Sequence, residues 1–158
     1  MKIFDCTLYY DEDLILDARL NILDPYIDKF IICEALFSHS GRKKELNFDI
    51  NKFPKFKDKI IYIVQETEPK DIIYKENSKK TEDPSNWRAN AVKRIAHQRN
   101  KLLEEVNKHA DENDYILYSD NDEIPNLDKL DINKIKSKFF VFEQKLFYYK
   151  FNLLNDRI

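Results

Sequence analysis

The residues with the clearest chemical potential are Asp120, Asp122 and Glu123, in the run Ser119-Asp120-Asn121-Asp122-Glu123-Ile124-Pro125. Three carboxylates within four residues repel one another unless water or a cation neutralises them. The apolar stretch just before them, residues 114–119 (DYILYS), limits solvation from one side. Carboxylate oxygens suit hard divalent ions such as Mg²⁺ and Mn²⁺. An ion held by one or two carboxylates keeps open positions. Through these it can bridge the two phosphates of a sugar nucleotide and act as a Lewis acid. A plainer reading stands beside this one: short acidic triplets also occur as solvated turns and helix caps. A calcium loop of the EF-hand kind does not fit, because the sixth position from Asp120 is Pro125, where that loop needs glycine.

Glycine usage bears on the same question. Gly41 is the single glycine in the chain. Dinucleotide-binding and Walker-type loops need several glycines, so that backbone can approach phosphate closely. Both are excluded, and a metal ion is the obvious alternative grip on a diphosphate. The formal net charge of -2 gives no electrostatic reason to expect nucleic acid. Cys6 and Cys33 lie in apolar runs and read as buried, reduced thiols; no Cys/His spacing suggests structural zinc. No signal-peptide stretch and no membrane-length apolar run occurs, so the expected location is cytoplasmic.

The elements that would position the acidic run follow from periodicity. The 158 residues suggest one domain, burying roughly 70% of the surface of its unfolded chain. Strands are expected at residues 2–10, 29–36, 59–64 and 114–119. A helix is expected to open at Asp11-Glu12-Asp13, with Asp11 as a plausible N-cap and Leu14, Ile15, Ala18, Ile22 and Leu23 on one face. Residues 90–110 form the strongest helical pattern, with Val92, Ile95, Ala96, Arg99, Leu102, Leu103 and Val106 recurring at helical steps. A short helix or turn is expected within 48–57, a long loop over 65–86, a short helix at 127–135, and aromatic-rich strands at 138–142 and 145–151. Strands alternating with helices argue for an α/β fold with a mostly parallel central sheet and helices on both faces. Ligands in such sheets bind beyond the carboxyl ends of the strands, where the acidic run falls.

The string YSDNDEIP resembles the (S/A)D-x-DEIP motif of glycosyltransferase family 17. The opening FDCTLYYDEDLILDARLNILDPYIDKFIICEALFSHSG is similar to that family's opening, with an FDC strand, an acidic turn and a helix carrying RLN. KELNFDINKF, FKDKIIYIV and the HQRN of residues 97–100 resemble further segments of its members. The likeness runs through nearly the whole chain. It implies a GT-A-type nucleotide-diphosphosugar transferase fold over residues 1–158, a UDP-sugar donor with N-acetylglucosamine as the sugar, and dependence on Mn²⁺ or Mg²⁺. It also implies inverting transfer to a glycan or other hydroxyl acceptor. Asp120 and Asp122 match the metal and donor motif, Asp122 as the direct ligand and Asp120 toward the ribose or a metal-bound water. Asn121 stands where the family usually has Val. The chain is shorter than typical members, so the acceptor portion and the catalytic base are expected to be missing from it. A donor- and metal-binding module without catalysis is the alternative function.

Other residues carry two readings each. Glu34, at the end of the second strand, either contacts the donor's base or ribose or is a solvated strand-end acid. Arg99, on the expected apolar face of the long helix, must find an anion, either the acidic run or the donor diphosphate, or else snorkel to the surface. Glu123 either orients a metal shell or starts a turn. His97 reads chiefly as structural. Arg42, Lys43 and Lys44 would approach phosphate or face solvent. Trp87 would stack on a ring or pack in the core, and Phe139, Phe140, Phe142, Phe147, Tyr148 and Tyr149 read as core.

Overall fold

The computed structural model of the chain describes residues 1–76, 81–145, 147 and 154. Its centre is a parallel four-stranded sheet in the order β3-β2-β1-β4, built from β1 (Ile3–Tyr9), β2 (Lys29–Ala35), β3 (Ile60–Gln65) and β4 (Tyr115–Tyr118). Helix α1 (Asp13–Leu23) links the first two strands, and α2 (Trp87–His109) precedes the fourth. The expected α/β architecture is therefore present, with a helix on each face.

The alternation of side chains along β1 and β2 sorts the core into two layers. Leu16, Leu20 and Leu23 of α1 pack with Tyr9, Phe30, Ile32 and Leu117. On the opposite face, Leu102 and Val106 of α2 pack with Phe4, Cys6, Ile31 and Cys33. Strands covered on both faces need apolar residues at successive positions, hence the near-continuous apolar runs. Each fully buried leucine of α1 stabilises the fold by about 1.5–3 kcal/mol relative to exposure. Cys6 and Cys33 are free and buried, as expected, and burial pushes the Cys33 thiol up to about 12.

Several local expectations need correction. Glu12, not Asp11, is the N-cap of α1, and its carboxylate accepts from the backbone N–H groups of Tyr10 and Asp11 instead of capping the helix. The buried face of α1 is Leu16, Arg19, Leu20 and Leu23, whereas Leu14 and Ile22 of the expected face are exposed. The buried face of α2 is Asn90, Arg94, Gln98, Leu102 and Val106, whereas Val92 and Leu103 are exposed. The reason is geometric. At 23 residues α2 is about 34 Å long, against about 23 Å for the longest strands. Its first half overhangs the carboxyl edge of the sheet and meets loop backbone there, which polar side chains can satisfy. Residues 127–135 hold only a 3₁₀ turn at Ile132–Lys134, and 138–142 form no strand. Phe140 and Phe142 join the α1-side core, but Phe139 is exposed. Most of the expected strand at 145–151, with Tyr148 and Tyr149, lies outside the described residues.

Candidate functional site

β4 delivers the chain to the carboxyl edge beside β1, with Cys6 opposite Tyr118. The turn that follows is held from beneath. Thr7 Oγ1 donates to the Ser119 carbonyl at 3.1 Å, and Ser119 Oγ donates to the Glu123 carbonyl at 2.7 Å. The main anchor is Arg19 of α1, whose side chain is entirely buried. Its Nε and Nη2 donate to the two oxygens of buried Asp5 at 2.7 Å each. Its Nη2 also reaches Ser119 Oγ at 2.8 Å, while Nη1 donates to the carbonyls of Asp120 (2.9 Å), Asn121 (3.4 Å) and Glu123 (3.2 Å). A buried cation thus gathers the loop's carbonyls on its inner side. Asn121 is buried between the acids, and neither Oδ1 nor Nδ2 of its amide has a partner among the described residues.

With the carbonyls drawn inward, the acids point outward. The Asp120 side chain is 59% exposed, and Asp122 is exposed. Arg99 Nη2 stands 3.5 Å from Asp120 Oδ1, and its guanidinium lies 5.2 Å from the Tyr118 ring centroid. Arg99 is itself half exposed, so it finds its anion from the rim of α2 and not from the buried face expected for it. Glu123 closes the turn: its N–H donates to the Asp120 carbonyl at 3.0 Å, and its carboxylate accepts from the Asp120 N–H at 3.1 Å. Among the described residues no group of three His, Cys, Asp or Glu side chains converges as a metal cage. Two outward carboxylates fit a different arrangement, that of Mg²⁺ or Mn²⁺ bound by one or two protein oxygens and completed by substrate phosphates and water.

Glu34 lies on the same face of the sheet but is neither solvated nor free. It is fully buried and accepts from Lys44 Nζ, the backbone N–H groups of Asn47 (2.8 Å) and Phe48 (3.1 Å), and the Tyr62 hydroxyl (2.8 Å). Its carboxylate holds the segment after Gly41 against the sheet. Lys44 is committed to it, and Arg42 and Lys43 are exposed. Burial, with the hydrogen bond to Glu34, raises the Tyr62 hydroxyl above its ordinary range. His97 Nε2 meets Gln65 Nε2 at 2.7 Å and Thr67 Oγ1 at 3.2 Å, and Gln98 Nε2 donates to the Cys33 carbonyl at 2.8 Å. Both fasten α2 to the carboxyl edge. Trp87 is 61% exposed at the start of α2, so the core-packing alternative is corrected. A cavity of about 1440 Å³ runs along the outer edge of β4 between Tyr115, Leu117, Phe140 and Phe142, and the outward acids do not line it.

The structure therefore brings Arg99 to Asp120, leaves Asp122 exposed two positions further along the same turn, and engages Glu34 as an anchor of the segment after Gly41. Sequence reasoning missed Asp5 and Arg19. A signal existed: Asp5 is the one charged residue of a mainly apolar strand, and Arg19 falls on the helix face of Leu16, Leu20 and Leu23. Two buried opposite charges facing each other across a β–α unit must pair.

The fold and site define an α/β domain that presents an arginine-flanked acidic loop beyond the carboxyl end of a parallel strand. The profile of glycosyltransferase family 17 matches residues 1–157, and the chain belongs to that family. It is a glycosyltransferase, a protein that moves a sugar from a donor to an acceptor. Searches among curated proteins and among solved structures gave no match. No helix among the described residues is long and apolar enough to cross a membrane.

Proposed function

We propose that this chain is a GT-A-type transferase that takes a UDP-sugar, with N-acetylglucosamine as the sugar, at the carboxyl edge beside Asp120 and Asp122. It passes the sugar to a hydroxyl acceptor with inversion at the anomeric carbon. One observation carries the reading: the Arg19-held loop turns two carboxylates outward with Arg99 3.5 Å from one of them. In this reading Asp122 is the direct ligand of Mn²⁺ or Mg²⁺, and Asp120 faces the ribose or a metal-bound water. The bound cation supplies neutralisation of the charge that develops on the departing diphosphate. Arg99 is shared between Asp120 and the diphosphate, and its stacking over Tyr118 keeps the guanidinium at the edge. The acceptor oxygen bonds to the anomeric carbon as the bond to the diphosphate breaks, UDP leaving with the electron pair and the hydroxyl proton passing to a base or to water. Glu34 serves the site indirectly, by fixing the segment that flanks it.

Calorimetric titration with UDP and Mn²⁺ tests the reading. The wild type should bind UDP only with the metal, and Asp122→Ala should lose at least about tenfold in affinity while keeping its circular dichroism. Undiminished binding by that variant, or no metal-dependent binding by the wild type, overturns the assignment. A UDP-N-acetylglucosamine hydrolysis assay then separates the enzyme from a non-catalytic binding module, which would bind without turnover.

A further inference from the structure

We infer that Arg19 and Asp5 are positioning residues for sugar transfer: the buried pair sets the shape of the 119–123 loop and thereby the outward aim of Asp120 and Asp122. The inference rests on the donor-site reading above and adds to it two residues that touch neither donor nor metal.

The division of Arg19's hydrogen bonds carries the argument. Its bonds to Asp5 secure the guanidinium, and among the described residues every other one goes to residues 119–123. A pair serving only to hold α1 against β1 would do no better than apolar side chains, because removing two charges from water offsets most of their attraction. The surroundings suit such side chains. Asp5 is flanked across the sheet by Phe30 and Leu117, and Arg19 lies among Leu16, Leu20 and Leu23. What apolar residues cannot do is direct three carbonyls of one tight loop to a single point. A peptide whose carbonyl points inward carries its N–H and side chain in a correlated direction, so the buried cation dictates where the acids face. Thr7, bonded to the Ser119 carbonyl, fixes the loop's entry from the same face.

The test uses the full chain with Asp5→Leu and Arg19→Met combined, so that no buried charge is orphaned. Two measurements are made: amide hydrogen exchange of Asp120 and Glu123 without ligand, and calorimetric binding of UDP with Mn²⁺. The double variant should fold, with exchange at these amides about tenfold faster and Mn²⁺–UDP affinity about 10- to 100-fold weaker, as for residues that orient metal ligands. Unchanged loop exchange, or a loosened loop that binds as the wild type does, overturns the inference. Failure of the wild type to bind overturns the donor-site reading itself, which is a separate result. Should the double variant not fold, Arg19→Lys keeps the charge beside Asp5 but loses the planar fork. It should retain the fold and still show the faster exchange and weaker binding, and wild-type behaviour in it overturns the inference equally.

Discussion

Arg19 and Arg94 are both buried arginines at the carboxyl edge of the sheet, one on each face, and their partners differ in kind. Arg19 is matched by one carboxylate from the core strand and by backbone carbonyls of a tight turn. Arg94 is matched chiefly by Glu68 and Glu82, acids from the long segment between β3 and α2, with a single backbone carbonyl, that of His39, at 3.4 Å. Asn90 reinforces that segment, bonding both the N–H and the carbonyl of Ile73 at 2.9 Å and Glu82 at 2.9 Å. Glu68 and Glu82 keep 26% and 17% of their side-chain surface, whereas Asp5 keeps 1%. The difference separates two jobs. A cation enclosed with backbone acceptors imposes one loop shape, while a cation between partly wetted side chains straps a long segment down and lets it adjust.

The largest expected effect comes from breaking each arginine alone. Arg19→Met leaves the Asp5 charge buried without a partner and should cost about 3–5 kcal/mol. Arg94→Met leaves two acids that can turn to water, and should cost about 1.5–3 kcal/mol through lost charge-assisted hydrogen bonds. Urea denaturation midpoints measure both, and equal losses would erase the distinction between clamp and strap. Gly41 comes next. Its φ of +83° is a left-handed conformation, and a Cβ there would lie 2.5 Å from Arg94 Nη2 and 2.6 Å from Glu82 Oε1. Gly41→Ala should therefore cost at least about 1–2 kcal/mol from backbone alone, with displacement of the strap adding to it. The extra part should vanish in an Arg94→Met background and persist in an Arg19→Met background, since only neighbours couple. Additivity with both would mean the close approach to Arg94 contributes nothing.

How much of this was legible beforehand depended on whether a residue signals through its own neighbours in sequence. The four parallel strands, both helices and the acidic run at the end of β4 announce themselves by local period and composition, and they are where the sequence puts them. Helical periodicity registers apolar spacing, whereas Asn90 is buried against the backbone of Ile73, Arg94 against Glu68 and Glu82, and Gln98 against the Cys33 carbonyl of β2, and none of these partners has a periodic signature on α2. Glu34 looked like a strand-end acid with free oxygens. Its donors arrive from Lys44, Asn47, Phe48 and Tyr62, and chain folding alone brings them together. Asp5 and Arg19 stand 14 positions apart, and the loop they hold is about a hundred residues further on. The acidic motif was readable as chemistry; the device that aims it was not, because its parts are united only when β4 joins β1.

A smaller effect sharpens the Arg19 side of the comparison. Asn121 sits in the clamped loop with both amide atoms buried and without a partner among the described residues. A buried polar group without a partner costs about 1–3 kcal/mol, and family 17 chains usually carry Val there. Asn121→Val should raise the melting temperature by roughly 2–4 °C for each kcal/mol recovered, and leave Mn²⁺–UDP binding intact if Asn121 contributes packing alone. A melting point that stays level or drops would show that the tight turn depends on the amide.

The smallest effect belongs to the strap and depends on pH. Burial pushes the Glu82 carboxyl up, but hydrogen bonds from Arg94 and Asn90 outweigh it and hold the group below its ordinary value of 4.5. A carboxyl whose folded value is depressed binds fewer protons than the unfolded chain does, so it stabilises the fold above the unfolded value. That contribution should be complete from neutral pH down to about pH 5.5, and should drain away as the pH falls below about 4.5 toward the folded value. Denaturation midpoints of the wild type and of Glu82→Gln, compared across this range, isolate it. The gap between the two proteins should be constant near neutrality and close on acidification. A gap that does not narrow at all as the pH falls below about 4.5 would mean that Glu82 holds Arg94 through shape and not through charge. The strap would then resemble the Arg19 clamp more closely than its exposure implies.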